Sequence, residues 1–305
     1  MDPNPAGPEP DGFLVEIIPG ERIHFLDWGG PERAESGDLP VLLIHGLSAT
    51  AWAWTPVARR LRRRVRTVAI DLRGHGLSDA STTGYTAGQL ADDVVAVAEG
   101  AGLLPAADSR LTLAGHGYGA IVAAWAAERL GGRCAGLVLV DGGWQNVAAE
   151  TGMAPDEWLR ELEEPPGVFL SMAAYLADRR DFDPASWDAD QEQAARSTVV
   201  EVPAGKVVPA VRPHALAGSV EAIFAYDPVA TLVRVPARIT AVIAGSEDAT
   251  ARRAALDEVN RARRATGLPA IRPVDLAPSG HNLMRYRPAE LSAAILAADR
   301  ELSDA

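Results

Sequence analysis

The stretch LAGHGYGA, residues 113–120, has the frame that presents a nucleophilic serine on a turn between a strand and a helix, but its central position is Gly117. Glycine has nothing to attack with, and loss of such a nucleophile typically costs on the order of a millionfold in turnover. Covalent acyl chemistry through residue 117 is therefore excluded, and acid–base chemistry remains. His281 follows Gly280 in SGHNLMRYRP, and Asp248 lies in AGSEDA. A histidine supported by a carboxylate keeps one ring proton and offers the other nitrogen as a general base near neutral pH. Asp141, which ends LVLVD, is an alternative support for the ring. The backbone amides of Tyr118 and of Leu47, after His45-Gly46, would face the same slot as an oxyanion hole, and backbone donors survive the loss of a side chain. Each residue also has a plainer reading. Asp248 suits a helix N-cap before ATARRAALDEV, and His281 could be a surface-loop histidine. His45, His116, Trp52 and Trp144 are candidate pocket residues that loop hydrogen bonding or ordinary packing explains equally well.

These residues need a scaffold that brings distant turns together. Short β-branched runs at 14–18, 22–27, 41–44, 66–70, 110–114 and 136–140 alternate with helical patterns at 52–63, 86–100 and 118–130. Such alternation predicts a mostly parallel sheet covered on both faces. Pro19-Gly20 joins the first two runs as an antiparallel hairpin. From Trp144 to Leu232 the β signal fades, and helical segments are separated by Pro165-Pro166, Pro184 and Pro203, each of which ends a helix. The alternation resumes with ARITAVIAG, a helix through 257–265, IRPVDLAP and a last helix after Pro288. The expected organisation is a loose tail over 1–12, a core over 13–143 and 233–305, and an inserted helical lid over 144–232.

Four motifs fall at the C-terminal ends of strands, where an open α/β sheet places its ligand crevice. They are IHGLSATAWAW, DLRGHGLSD, AGHGYGA and SGHNLMRYRP. In this order and spacing the chain resembles the α/β-hydrolase superfamily from about Leu14 to its end. The resemblance implies an eight-stranded, mostly parallel sheet with helices on both faces, and a chain order of nucleophile, acid and histidine filled by Gly117, Asp248 and His281. It also implies an architectural part for His45 and His75. With glycine at the elbow the chain resembles members that keep the fold without the serine, including the atypical branch that contains the bottromycin peptide epimerase. Proton transfer beside a carbonyl (epimerase, lyase or cyclase type) or activation of water over Gly117 fits that apparatus. A small-molecule-binding pseudo-hydrolase without turnover is the alternative.

Composition narrows the partners. A formal net charge of -12 argues against nucleic acid, because phosphate binding needs a concentrated basic face. One cysteine, Cys134, excludes an internal disulfide and suits a cytoplasmic protein, and no Cys/His group has metal-ligand spacing. No apolar stretch reaches membrane-spanning length. The expected partner is a small or peptide-like substrate, with no cofactor, no nucleic acid and no membrane. Gly115, Gly117 and Ala120, with Asp141 ending the next strand, also match a dinucleotide fingerprint. That reading leaves the other three motifs without a purpose.

Overall fold

The computed structural model describes residues 9–31, 38–163, 168–203, 205–245 and 249–300. The strands are β1 (Asp11–Ile18), β2 (Glu21–Asp27), β3 (Val41–Ile44), β4 (Thr67–Ile70), β5 (Leu111–His116), β6 (Cys134–Val140), β7 (Val199–Glu201), β8 (Val207–Pro209), β9 (Arg238–Ile243) and β10 (Arg272–Asp275). Eight of them form one sheet in the order β1-β2-β4-β3-β5-β6-β9-β10. Only β2 runs against the rest, so the sheet is mostly parallel, as the alternation of strand and helix predicts. Strands β3, β4, β5 and β6 are buried along their whole length, which is why they read as unbroken apolar runs rather than alternating ones.

The helices are α1 (Thr55–Leu61), α2 (Ala87–Gly100), α3 (Tyr118–Leu130), α4 (Val147–Thr151), α5 (Pro155–Glu163), α6 (Met172–Phe182), α7 (Ala189–Ser197), α8 (Pro213–Ala225), α9 (Pro228–Leu232), α10 (Ala249–Ala265), α11 (Leu283–Tyr286) and α12 (Pro288–Leu296). Two apolar cores sandwich the sheet. One joins Leu42, Ile44 and Leu113 to Leu90, Val94 and Val97 of α2 and to the inner face of α3. The other joins Leu43, Ala69 and Val138 to Val57 and Leu61 of α1 and to Leu291 and Ile295 of α12. Among the described residues no helix is long and apolar enough to cross a membrane.

Several boundaries differ from expectation for local reasons. Residues 11 and 12 are not part of a loose tail; they pair with Asp27 and Leu26 in the hairpin, while residues 1–8 lie outside the described ones. The helix expected at 52–63 becomes a 3₁₀ turn at Ala51–Trp54 followed by α1, because Pro56 fits a first helical turn and not an interior. The segment between β6 and β9 is mostly helical but also holds the β7–β8 hairpin, whose β8 is bridged by Phe169. Finally, α10 begins at Ala249, which is where a helix N-cap at residue 248 would start it, so the helix expected through 257–265 extends further towards the N-terminus and includes Arg252.

Candidate active site

Strand β5 ends at His116 and α3 starts at Tyr118, so residue 117 alone makes the reversal, at φ 53° and ψ -116°. That left-handed φ favours glycine, and the turn is pinned by the Gly117 N–H on the Val140 carbonyl at 3.0 Å. The helix can sit this close to the sheet because residue 119 is also glycine: a Cβ there would lie 2.3 Å from the His45 carbonyl oxygen. A Cβ on residue 117 would instead meet only the His281 ring, with Nε2 at 3.4 Å and Cε1 at 3.7 Å. The slot of the missing side chain is thus the space the imidazole faces.

His281 Nδ1–H donates to Asp141 Oδ2 at 2.6 Å. With that proton committed, Nε2 is left with its lone pair towards Gly117, the tautomer a general base requires. Asp141 reaches this position because it follows β6 at φ 51°. Its other oxygen accepts the Ala244 N–H at 2.9 Å and the Arg252 guanidinium at 2.6 Å. Burial alone would raise the Asp141 carboxyl, but the His281 hydrogen bond, the Arg252 charge and the Ala244 amide together hold it below the usual carboxylate range. Asp248, the expected partner of His281, lies outside the described residues. The dinucleotide rival loses its acid here, since both Asp141 oxygens are engaged.

Arg252 is the residue that pattern reading missed. Its side chain is buried, and its guanidinium lies 5.1 Å over the Trp144 ring, whose Nε1–H donates to the Arg252 carbonyl. In sequence it is one of two adjacent arginines in an alanine-rich helix, and only the phase of α10 turns it inward. Because both partners are buried, Arg252→Gln should cost roughly 3 kcal/mol in urea unfolding, and Arg252→Lys less than half of that. An unchanged urea midpoint in Arg252→Gln would show that Asp141 does not depend on the guanidinium.

A cavity of about 340 Å³ opens above this pair, lined by Leu47, Gly117, Tyr118, His281, Trp158 and Ile223 among others. The Tyr118 amide is the first of α3, one of the N–H groups that a helix leaves without an intrahelical partner, and Tyr118 lines the cavity. Leu47 approaches from the loop after β3. His116 also lines the cavity, with its ring 4.3 Å from that of His281, and its Nε2–H donates to the His281 carbonyl at 3.1 Å. Burial first, and then the neighbouring His281, push its pKa down to about 3, so it latches the His281 loop as a neutral ring.

Three expected pocket residues are elsewhere. His45 is fully buried, donating from Nδ1 to the Gly46 carbonyl at 2.8 Å and accepting the Leu72 N–H on Nε2 at 3.0 Å. Trp52 packs edge-on to Trp28, and Trp144 is wholly inside the core. His75 accepts the Ser48 N–H on Nε2 at 3.2 Å, and Asp71 accepts from Ala51 and Leu77. The DLRGHGLSD motif therefore braces the loop that carries Leu47. Among the described residues no group of three or more His, Cys, Asp or Glu side chains could hold a metal.

Comparison with known proteins agrees with this architecture. The family model described as "Alpha/beta hydrolase family" matches residues 41–294. A 2-(acetamidomethylene)succinate hydrolase from Mesorhizobium japonicum is 37% identical over 109 residues, 35% of this chain and 37% of that protein. An N-formylmaleamate deformylase from Pseudomonas putida is 36% identical over 123 residues, 40% of this chain and 42% of that protein. The match thus spans well under half the length of either relative. Among solved structures, an E-2-(acetamidomethylene)succinate hydrolase superposes with a TM-score of 0.74 at 23% identity, covering 95% of this chain and 98% of that one. A thioesterase domain from the curacin biosynthetic pathway gives 0.71 at 22% identity, covering 95% and 99%. At these identities the structural likeness speaks to the fold, and with a family model matched over most of its length the chain belongs to the alpha/beta hydrolase family.

Proposed function

We propose that this chain is an acid–base enzyme on the alpha/beta hydrolase scaffold that works without a covalent nucleophile. His281, oriented by Asp141, is the base, and the amides of Leu47 and Tyr118 form the oxyanion hole. A carbonyl compound resting over Gly117 gives its α-proton to Nε2, the C–H electron pair moves into the carbonyl, and the two N–H groups hold the enolate oxygen. Return of the proton to carbon completes an epimerisation, while expulsion of a leaving group from the β-carbon completes a lyase reaction. The same base can instead take a proton from water over Gly117, and the hydrolase and deformylase names of the relatives support that branch. The observation that carries the reading is the 3.4 Å between His281 Nε2 and the place a Cβ of residue 117 would occupy.

The test is α-proton exchange of a ketone in deuterated water, followed by NMR. Wild type should incorporate deuterium faster than buffer, and His281→Ala should lose at least about a hundredfold of that excess, the usual scale for a positioned base. Exchange that survives the substitution would remove His281 from the role. The alternative, a binding protein without turnover, is favoured by the left-handed φ of Gly117, where a non-glycine residue would store roughly 1–3 kcal/mol of strain that glycine relieves. That reading expects a bound ketone to be recovered without deuterium.

A further inference from the structure

Two parts of the chain enclose the cavity over Gly117. The sheet and its loops supply the end at which the proposed carbonyl rests, with Gly117, His281 and Leu47. The helical segment between β6 and β9 supplies much of the remainder, and α4, α5 and α8 each add one apolar side chain to the wall: Val147, Trp158 and Ile223. The polar Gln145 and Glu150 also line it, but both border an adjoining cavity of about 560 Å³ together with Asp141 and His281, so they lie on the side of the base. Trp158 is the largest of these apolar side chains and the only described residue of α5 in the wall. Behind it stands Phe224 of α8, with ring centroids 5.6 Å apart at 57°, and both rings pack against the larger apolar core. An indole backed by a second aromatic ring on a packed core is a stiff boundary.

Such a wall favours an apolar substituent. Each methylene that leaves water for it gains about fourfold in affinity, while a polar group placed there gives up its hydration for no partner. The gain has a limit, because a volume of about 340 Å³ stands near the lower end of the roughly 300–1,000 Å³ usual for small-molecule sites. A tail that reaches a stiff wall must fold back or leave its end in water, and forcing it further costs as overpacking does. We infer that Trp158 is the specificity-determining residue of this site: the carbonyl compound it takes bears a linear apolar tail, and the indole fixes how long that tail can be. The place of the carbonyl rests on the acid–base reading of the same site, but the seat of the tail is tested by binding alone.

Methyl propyl, methyl pentyl, methyl heptyl and methyl nonyl ketone differ only in the length of the tail. Calorimetric titration of the full chain is expected to show affinity rising by about fourfold per methylene and then levelling within this series. In Trp158→Ala the rise should run further, so that the affinity ratio of the nonyl to the pentyl ketone grows by about tenfold or more. Trp158→Phe, a milder change that keeps an aromatic ring against Phe224, should raise the ratio by about threefold. Leu162→Ala, at an exposed position of the same helix, should leave it unchanged. A ratio unmoved in both Trp158 variants, or moved as far by Leu162→Ala, would overturn the assignment of Trp158. Affinity indifferent to tail length in the wild type, or no binding by any of the four, would overturn the apolar seat. Absence of proton exchange alongside the expected shift would count against the base chemistry alone and leave the seat of the tail standing.

Discussion

Gly117→Ser is expected to hydrolyse p-nitrophenyl acetate about a thousandfold faster than Gly117→Ala. A complete serine site typically gains on the order of a millionfold in turnover from its nucleophile and base together, and a restored serine on an unadapted backbone should recover part of that. The geometry supports recovery. A Cβ at position 117 meets only His281 Nε2 at 3.4 Å and Cε1 at 3.7 Å, which is ordinary contact. The hydroxyl, one bond further out, then falls within hydrogen-bonding reach of a nitrogen whose tautomer is already set by Asp141. A burst of nitrophenolate equal to the enzyme concentration would report the acyl-enzyme. The substitution should also lower stability by roughly 1–3 kcal/mol, because a non-glycine residue is strained at φ 53°. Equal rates for Gly117→Ser and Gly117→Ala in a folded protein would mean that the hole or the base is not competent. The proposed proton-transfer chemistry would fall with them.

The legible parts of this molecule are those that local chemistry dictates. Strand β3 and helix α3 match their expected bounds because a bounded apolar run and a helix opened by a glycine turn need no distant partner to be recognised. The two ends of the site, Gly117 and His281, were readable for the same reason: each sits in a short motif at a strand end. What joins them is legible only as a choice: the sequence offers Asp248 and Asp141 as supports for the ring, and it takes the packing of β6 beside the His281 loop to bring Asp141 to it. Arg252 is not singled out by its sequence because ATARRAALDEV sets two arginines side by side, and only the packing of α10 against Trp144 and Asp141 decides which of them is buried. The histidines divide in the same way: His45 and His75 brace loops through backbone contacts, in the architectural part the resemblance implies, whereas the latch that His116 forms on the His281 carbonyl depends on contacts across the fold that its motif does not carry.

Those histidines make the protein acid-sensitive well above the range where its carboxylates titrate. Burial pushes His75 and His116 down to about 3 and lowers His45 as well. Their folded values lie below the unfolded value near 6.5, so between those limits the unfolded chain binds protons that the folded chain refuses. Stability therefore rises with pH through this window and is lost as pH falls, at roughly 1.4 kcal/mol per pH unit for each imidazole. By about pH 4.5 the two strongest contributors remove roughly 5 kcal/mol, comparable to the entire stability of many domains. His45 adds in the same direction. Asp71 and Asp141, both held below their ordinary range, add a further loss only as the pH falls below about 4. The local cause is concrete. His45 and His75 each accept a backbone N–H, from Leu72 and Ser48, and a proton on that nitrogen sets donor against donor under the Leu47 loop. Tryptophan fluorescence during acid titration should show cooperative unfolding near pH 4–5, coupled to uptake of about two or more protons. His75→Gln keeps an acceptor for Ser48 without the titration, and it should lower the uptake by about one proton and move the midpoint down. A midpoint below about pH 3.5, with the slope unchanged in His75→Gln, would show that these buried rings are not what limits the fold in acid.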